Sequence, residues 1–363
     1  MTTKRILVVD DSALMRRLVK HAVESDPDLR VCGTAFSGVS ALAQIEQMSP
    51  DLITLDIEMP QMDGLATLSH LRKRWPQLPV VICSSLTERG ASTTLEALSR
   101  GADDYIPKPA SGLTLEGNLK QFGIDLTRKI RPLLRLPAAG SADTLPTVPT
   151  RPALPARQHT IQTDISLLVI GSSTGGPNAL DEVLAQLPAD FPVPVLIAQH
   201  MPPLFTRLLA ERLDARCPLR VREGIEGSPL TPGTIWLAPG DHHMRVVCEA
   251  GVPTLRLDQK PPVNFCRPAV DALLESAVEC YGAGVLAVIL TGMGRDGCNG
   301  CRTLYAQGGS VYAQDEASSV VWGMPGAVVN DGLAERVLPL SEIGSAILSR
   351  AARTAHRATR YAV

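Results

Sequence analysis

The sequence predicts an α/β protein made of two doubly wound parallel-sheet domains joined by a proline-rich linker. Three observations predict it. Short apolar runs alternate with amphipathic, helix-like segments in both halves of the chain. Between the halves, "RPLLRLPAAGSADTLPTVPTRPALPARQHTIQT" carries six prolines and few periodic apolar positions, which suits an extended, semi-stiff spacer rather than a packed element. Finally, 363 residues exceed one ordinary core at roughly 150 residues per domain. The boundaries expected are a first domain over residues 1–130, a linker over 131–163, a second domain over 164–350 and a basic tail over 351–363.

Composition narrows the functional class. With 45% hydrophobic and 20% charged residues the chain is globular, and 35 basic against 37 acidic residues leave a net charge of -2. That balance gives no electrostatic footprint for nucleic acid or an anionic membrane. The opening "MTTKRILVVDD" has too short an apolar stretch for a signal peptide, and no later run approaches the ~18 residues a membrane span needs, so a cytoplasmic location is expected. The eight cysteines are scattered and read as small buried hydrophobes. Cys298 and Cys301 form a C-x-x-C, but no second pair completes a zinc set. In the tail, Arg350, Arg353, Arg357 and Arg360 suit a solvated helix end.

In the first domain, "RILVV" (5–9) is an apolar strand candidate ending in Asp10 and Asp11, and "LITL" (52–55) ends in Asp56. A parallel doubly wound sheet places ligands at the carboxyl ends of its strands, which would gather the three carboxylates. Together they would repel unless a hard cation such as Mg2+ joined them. "VVIC" (80–83) leads to Ser84, and "DYIPKP" supplies Lys108. A carboxylate triad, a hydroxyl and a lysine at successive strand ends suit phosphoryl transfer onto Asp56.

The motifs "VVDDS", "LDIEMPQMDG", "CSS" and "DYIPKP", in this order, make residues 4 to about 124 resemble a response-regulator receiver domain, a flavodoxin-like fold. The resemblance implies that Asp56 accepts the phosphoryl group, that Asp10, Asp11, Asp56 and the carbonyl of Glu58 hold Mg2+, and that Lys108 contacts the phosphoryl group. It also implies that Ser84 and Tyr105 sense phosphorylation.

In the second domain, "VIGSSTGGPNAL" (169–180) is a glycine-rich turn between an apolar run and a helix-like stretch. The lysine a P-loop needs is replaced by Pro177, and the second glycine of a dinucleotide fingerprint by Ser173. What remains is G-x-S-x-G over 171–175, which presents Ser173 at a strand-to-helix turn. Downstream, Leu180, Val183, Leu184 and Leu187 recur at helical spacing.

A serine nucleophile needs a base and an orienting acid. His200 follows "VLIAQ" at a strand end and is favoured over His242 and His243, which lie in a loop and suit a pocket wall. Its reference pKa is about 6.5 unless burial moves it. Among Asp241, Asp271, Asp296 and Asp315, Asp296 is chosen because it follows "VLAVIL", the most apolar and hence most central strand candidate. The order Ser, His, Asp differs from those of the familiar hydrolase triads, so geometry has to decide.

"GSSTGGP", "QHMPP", "APGDHHM", "PPVNFCRPAVD", "ILTGMGRDG" and "QDEASSVVWGMPGAV" make residues 165 to about 349 resemble the catalytic domain of the CheB protein-glutamate methylesterase family, here with a Rossmann-like fold. The resemblance implies a triad of Ser173, His200 and Asp296, with Thr174 and Met293 in the oxyanion and substrate loops. Ser172, where many members carry alanine, leaves two adjacent hydroxyls.

The expected function is therefore a phosphorylation-activated serine hydrolase in a chemotaxis two-component system. It would remove methyl esters from glutamates of methyl-accepting chemoreceptors and deamidate receptor glutamines. Mg2+ would serve the receiver, no cofactor would serve ester hydrolysis, and a chemotaxis histidine kinase would be the phosphodonor. The alternative is a phosphorylation-switched module that binds receptors without catalysis.

Overall fold

The computed structural model describes residues 3–109, 115–137, 164–249 and 251–360, and side chains outside 115–119 and 353–360. Most of the expected linker, and the tail side chains Arg353, Arg357 and Arg360, lie outside the described residues. The chain divides into two compact units, Met1–Val148 and Pro149–Val363.

The first unit alternates strand and helix: β1 (Lys4–Val9), α1 (Ala13–Glu24), β2 (Leu29–Ala35), α2 (Gly38–Met48), β3 (Leu52–Asp56), α3 (Gly64–Arg74), β4 (Val80–Ser84), α4 (Glu88–Ser99), β5 (Asp104–Pro107) and α5 (Leu115–Leu133). The sheet is wholly parallel in the order β2-β1-β3-β4-β5. Its central strands are covered on both faces, which is why β3 and β4 are buried throughout and apolar but for Thr54 and the strand-end Asp56 and Ser84. Ser12, Ser37, Asp63 and Thr87 cap the helices that follow, each accepting a backbone N–H of the first turn. Helix α5 runs past residue 130, so the first residues assigned to the linker are helical. The physical reason is Arg131, buried and held by Asp26 at 2.6 and 2.7 Å and by Asp28 at 2.9 Å.

The second unit contains β6 (Leu167–Ser172), α6 (Gly176–Leu184), β7 (Val195–Gln199), α7 (Pro203–Asp214), β8 (Arg220–Glu223), β9 (Thr234–Leu237), β10 (His243–Glu249), β11 (Val252–Asp258), α8 (Val270–Tyr281), β12 (Val285–Ile289), α9 (Cys298–Gln307), β13 (Ser310–Gln314), α10 (Met324–Asn330), β14 (Arg336–Leu338) and α11 (Leu340–Arg360). Seven parallel strands run in the order β14-β13-β12-β6-β7-β9-β8, and β10 and β11 form a separate antiparallel pair. Strand β6 sits in the middle. The chain leaves it through β7 to one edge and returns through β12 to the other, so the strand order reverses beside β6, where such sheets bind ligands. Leu180, Val183, Leu184 and Leu187 are fully buried, although α6 itself stops at Leu184.

Cys298 and Cys301 lie one helical turn apart on α9 and are packed into this core, with the Cys298 thiol 3.2 Å from Asp331 Oδ2. They are free thiols. No helix among the described residues is long and apolar enough to cross a membrane.

Candidate functional site

Three adjacent strands deliver the predicted residues to one rim. Ser172 at the end of β6 pairs with Gln199 at the end of β7, and Gly171 of β6 pairs with Ile289 of β12. Ser173 therefore follows β6, His200 follows β7, and Asp296 lies in the loop after β12.

The turn at Ser173 is fixed by its backbone. Ser173 N donates to Thr291 O at 3.0 Å, Gln199 Nε2 donates to Ser173 O at 2.9 Å, and Thr291 Oγ1 donates to Thr174 O at 2.9 Å. Gly175 takes φ +77°, and a side chain there would collide with Val320. Ser173 itself is absent from the positive-φ residues, so this is no strained elbow; the left-handed step is taken two residues later, by glycine. Gly292 must also stay bare, because a Cβ there would come within 2.8 Å of Ser173 Cβ. Met293, next in the chain, is half-buried, and Thr174 is buried.

The two serines are not equivalent. Ser172 is fully buried and its hydroxyl donates to Gln199 Oε1 at 2.7 Å, whereas Ser173 is half-buried at the rim. Among the described residues no hydrogen bond joins the Ser173 hydroxyl to His200. Apo sites commonly leave such contacts loose until substrate arrives.

His200 Nε2 lies 2.8 Å from Asp296 Oδ2, with the imidazole 12% and the carboxylate 2% exposed. The carboxylate is saturated. Oδ2 also accepts from Val270 N at 2.6 Å, and Oδ1 accepts from Asn264 Nδ2 at 2.9 Å and Asp271 N at 3.2 Å. Val270 and Asp271 open α8, whose own cap residue Ala269 offers no side-chain acceptor. Asp296 thus supplies the missing cap from another loop, and the positive helix end favours its ionised form. Asp271, weighed as a rival acid, points elsewhere: its Oδ1 accepts from Gly300 N in the first turn of α9 and its Oδ2 from Asn264, both at 2.8 Å.

Burial works against a charged His200, but the bond to Asp296 and the contact with Cys266 outweigh it and push the imidazole up to about 10. That departs from the expected 6.5. The same pairing holds Asp296 below the usual carboxylate range despite its burial. His243 and His242 turn to backbone carbonyls, of Pro261 and Gly240 respectively, and take no part in the pair. Sequence reasoning missed Asn264 and Cys266, whose Sγ lies 3.5 Å from His200 Nδ1. Both follow from the loop Val263–Cys266, closed on itself by a bridge, with Asn264 and Phe265 in the left-handed region.

In the first unit, Asp10, Asp11 and Asp56 bring carboxylate oxygens within 4.8 Å of one another at the β1 and β3 ends. Lys108 Nζ lies 2.7 Å from Asp56 Oδ2 and 2.9 Å from Asp10 Oδ2. Burial, only partly offset by Lys108, raises the Asp56 carboxyl to about 6. An all-oxygen set with one exposed member, Asp11, fits a hard cation. Glu58 follows two residues after Asp56, its side chain turned to Arg89 at 3.9 Å. Ser84 is buried at the end of β4 and donates to Gly90 O at 3.0 Å. Tyr105 is buried with its ring 5.1 Å from Lys129 Nζ, and burial pushes its phenol well up.

A Rossmann-like sheet with serine, histidine and aspartate on one rim, in a chain that also carries a receiver, defines a receiver-linked hydrolase. The family models match accordingly: CheB methylesterase over residues 168–347 and response regulator receiver domain over 6–120. A Nocardioides protein named protein-glutamate methylesterase/protein-glutamine glutaminase is 50% identical over 353 residues, covering 96% of each chain. One of the same name from Trichodesmium erythraeum is 43% identical, covering 95% of this chain and 98% of its own. The crystal structure of the Thermotoga maritima CheB methylesterase catalytic domain, 43% identical, matches with a TM-score of 0.50 over 52% of this chain and 99% of that one. The chain belongs to the CheB methylesterase family.

Proposed function

We propose that Ser173, His200 and Asp296 carry out the hydrolysis, and that Asp56 is where phosphorylation controls it. The enzyme is a phosphorylation-regulated protein-glutamate methylesterase and protein-glutamine glutaminase of chemotaxis. The observation that carries the site assignment is the 2.8 Å His200–Asp296 pair on the rim of the Ser173 turn.

Because Asp296 occupies Nε2, the base is the other ring nitrogen of His200, Nδ1, which lies 3.5 Å from Cys266 Sγ. Ser173 Oγ attacks the side-chain carbonyl of a methylated glutamate while Nδ1 takes its proton. The imidazolium, stabilised by Asp296, returns that proton to the departing methoxide, and methanol leaves. Water then attacks the acyl-enzyme by the same route and frees glutamate. A glutamine side chain follows the same path with ammonia as leaving group. The backbone at Thr174 and at Met293 is assigned to the oxyanion that develops on the carbonyl.

In the receiver, Asp10, Asp11, Asp56 and the carbonyl of Glu58 would hold Mg2+, which offsets the charge gathered during phosphoryl transfer. Asp56 accepts the phosphoryl group from a chemotaxis histidine kinase, Lys108 contacts it, and Ser84 and Tyr105 respond to it. The substrates are methyl-accepting chemoreceptors and the location is cytoplasmic. The test is methanol release from methylated receptor by Ser173→Ala, His200→Ala and Asp296→Asn. Near-normal turnover in any of the three would remove that residue from the mechanism.

A further inference from the structure

Cys266 is not needed for the hydrolysis just described, yet its sulfur lies 3.5 Å from Nδ1, the nitrogen assigned as base. A tetrahedral zinc ion with Zn–S near 2.3 Å and Zn–N near 2.0–2.1 Å separates its sulfur and nitrogen ligands by about 3.5–3.6 Å. The spacing therefore matches one edge of such a shell. The carbonyl oxygen of Asn264 lies 3.4 Å from the same sulfur, within the ligand-to-ligand range of such a shell. Asp296 completes the pattern from behind: all its oxygens are taken by Val270 N, Asp271 N, Asn264 and His200 Nε2. It is thus the outer carboxylate that orients a metal-binding imidazole rather than a ligand. Imidazole and thiolate together select zinc-like ions over Mg2+.

We propose that His200 Nδ1 and Cys266 Sγ form an inhibitory site for a thiophilic divalent cation, with the Asn264 carbonyl as a third donor. The inhibition rests on His200 being the base. Binding releases the thiol proton and the Nδ1 proton of the imidazolium to solvent, and places metal bonds on Sγ and on the Nδ1 lone pair that would otherwise accept the Ser173 proton. The thiol is half-buried, not enclosed, and solvent or substrate would take the last position. The cation set of the receiver, all oxygen, has no such preference.

The test uses the full-length protein with Co2+ as spectroscopic probe and Zn2+ as inhibitor. Wild type should show a sulfur-to-cobalt charge-transfer band that Cys266→Ser and Cys266→Ala lack. Each protein's methanol release is scored against its own chelator-treated rate. Zn2+ should inhibit wild type reversibly, and either substitution should raise the inhibitory concentration by at least about tenfold, the scale seen when a metal site loses supporting contacts. A cobalt–sulfur band undiminished in both variants, or equal inhibition of all three proteins, overturns the site. The band does not depend on turnover, so a band with no loss of rate leaves the metal site standing and refutes Nδ1 as the base.

Discussion

Asp296 joins two jobs in one carboxylate: it accepts His200 Nε2 at 2.8 Å and closes the N-terminus of α8 through Val270 N at 2.6 Å. The orientation of the imidazole is thereby tied to the packing of a helix. Asp296→Asn should keep part of the cap but present a donor or a neutral acceptor to the imidazole. A fall of about 10^4 in kcat for methanol release is expected, as when a triad acid is replaced by its amide. A fall under tenfold would show that the pair is structural only.

The pH profile follows from the same pair. With His200 raised to about 10, the free enzyme holds an imidazolium at neutral pH. The base is the neutral form, so kcat/KM should climb with pH through the neutral range and level off only toward 10. The stability sign is opposite. A pKa raised in the folded state stabilises fully below the unfolded value of about 6.5, and that contribution is lost between there and 10. Activity and thermal midpoint measured on one pH series should move in opposite directions; an activity limb ending near 6.5 would refute the raised imidazole.

Asp271 predicts a stability effect with a modest catalytic one. Its Oδ1 accepts from Gly300 N at the start of α9, and its Oδ2 holds Asn264, which in turn donates to Asp296. Asp271→Ala leaves a buried N–H unpaired and should cost roughly 1–3 kcal/mol in denaturant unfolding. No change in the midpoint would mean that water replaces the carboxylate.

How much of this was legible in the sequence depends on the range of the interaction. Ser173, His200 and Asp296 could be found because each follows an apolar run, directly or in the loop after it, and parallel sheets gather strand ends. The G-x-S-x-G pattern chose Ser173 over the adjacent Ser172, and burial of Ser172 with its bond to Gln199 adds a reason the pattern did not hold. Asn264 and Cys266 reach the site from a loop with no periodic signal, some thirty residues before Asp296 and more than sixty after His200. The raised imidazole is equally non-local. Arg131 looked like linker because its partners Asp26 and Asp28 lie more than a hundred residues away.

Phosphorylation should act through Asp56 alone. A small phosphodonor with Mg2+ should raise methanol release by the full chain, and Asp56→Asn, which cannot form the acyl phosphate, should stay at its basal rate with or without the donor. Equal stimulation of Asp56→Asn would place the acceptor elsewhere.

The central claim is that Ser173 is the nucleophile, and the pair of adjacent serines tests it directly. Methanol release from methylated receptor should fall by about 10^4-fold or more in Ser173→Ala, as for other serine hydrolases that lose their nucleophile, while Ser172→Ala, which loses only a buried bond to Gln199, should stay active. Turnover retained by Ser173→Ala and abolished in Ser172→Ala would contradict the account.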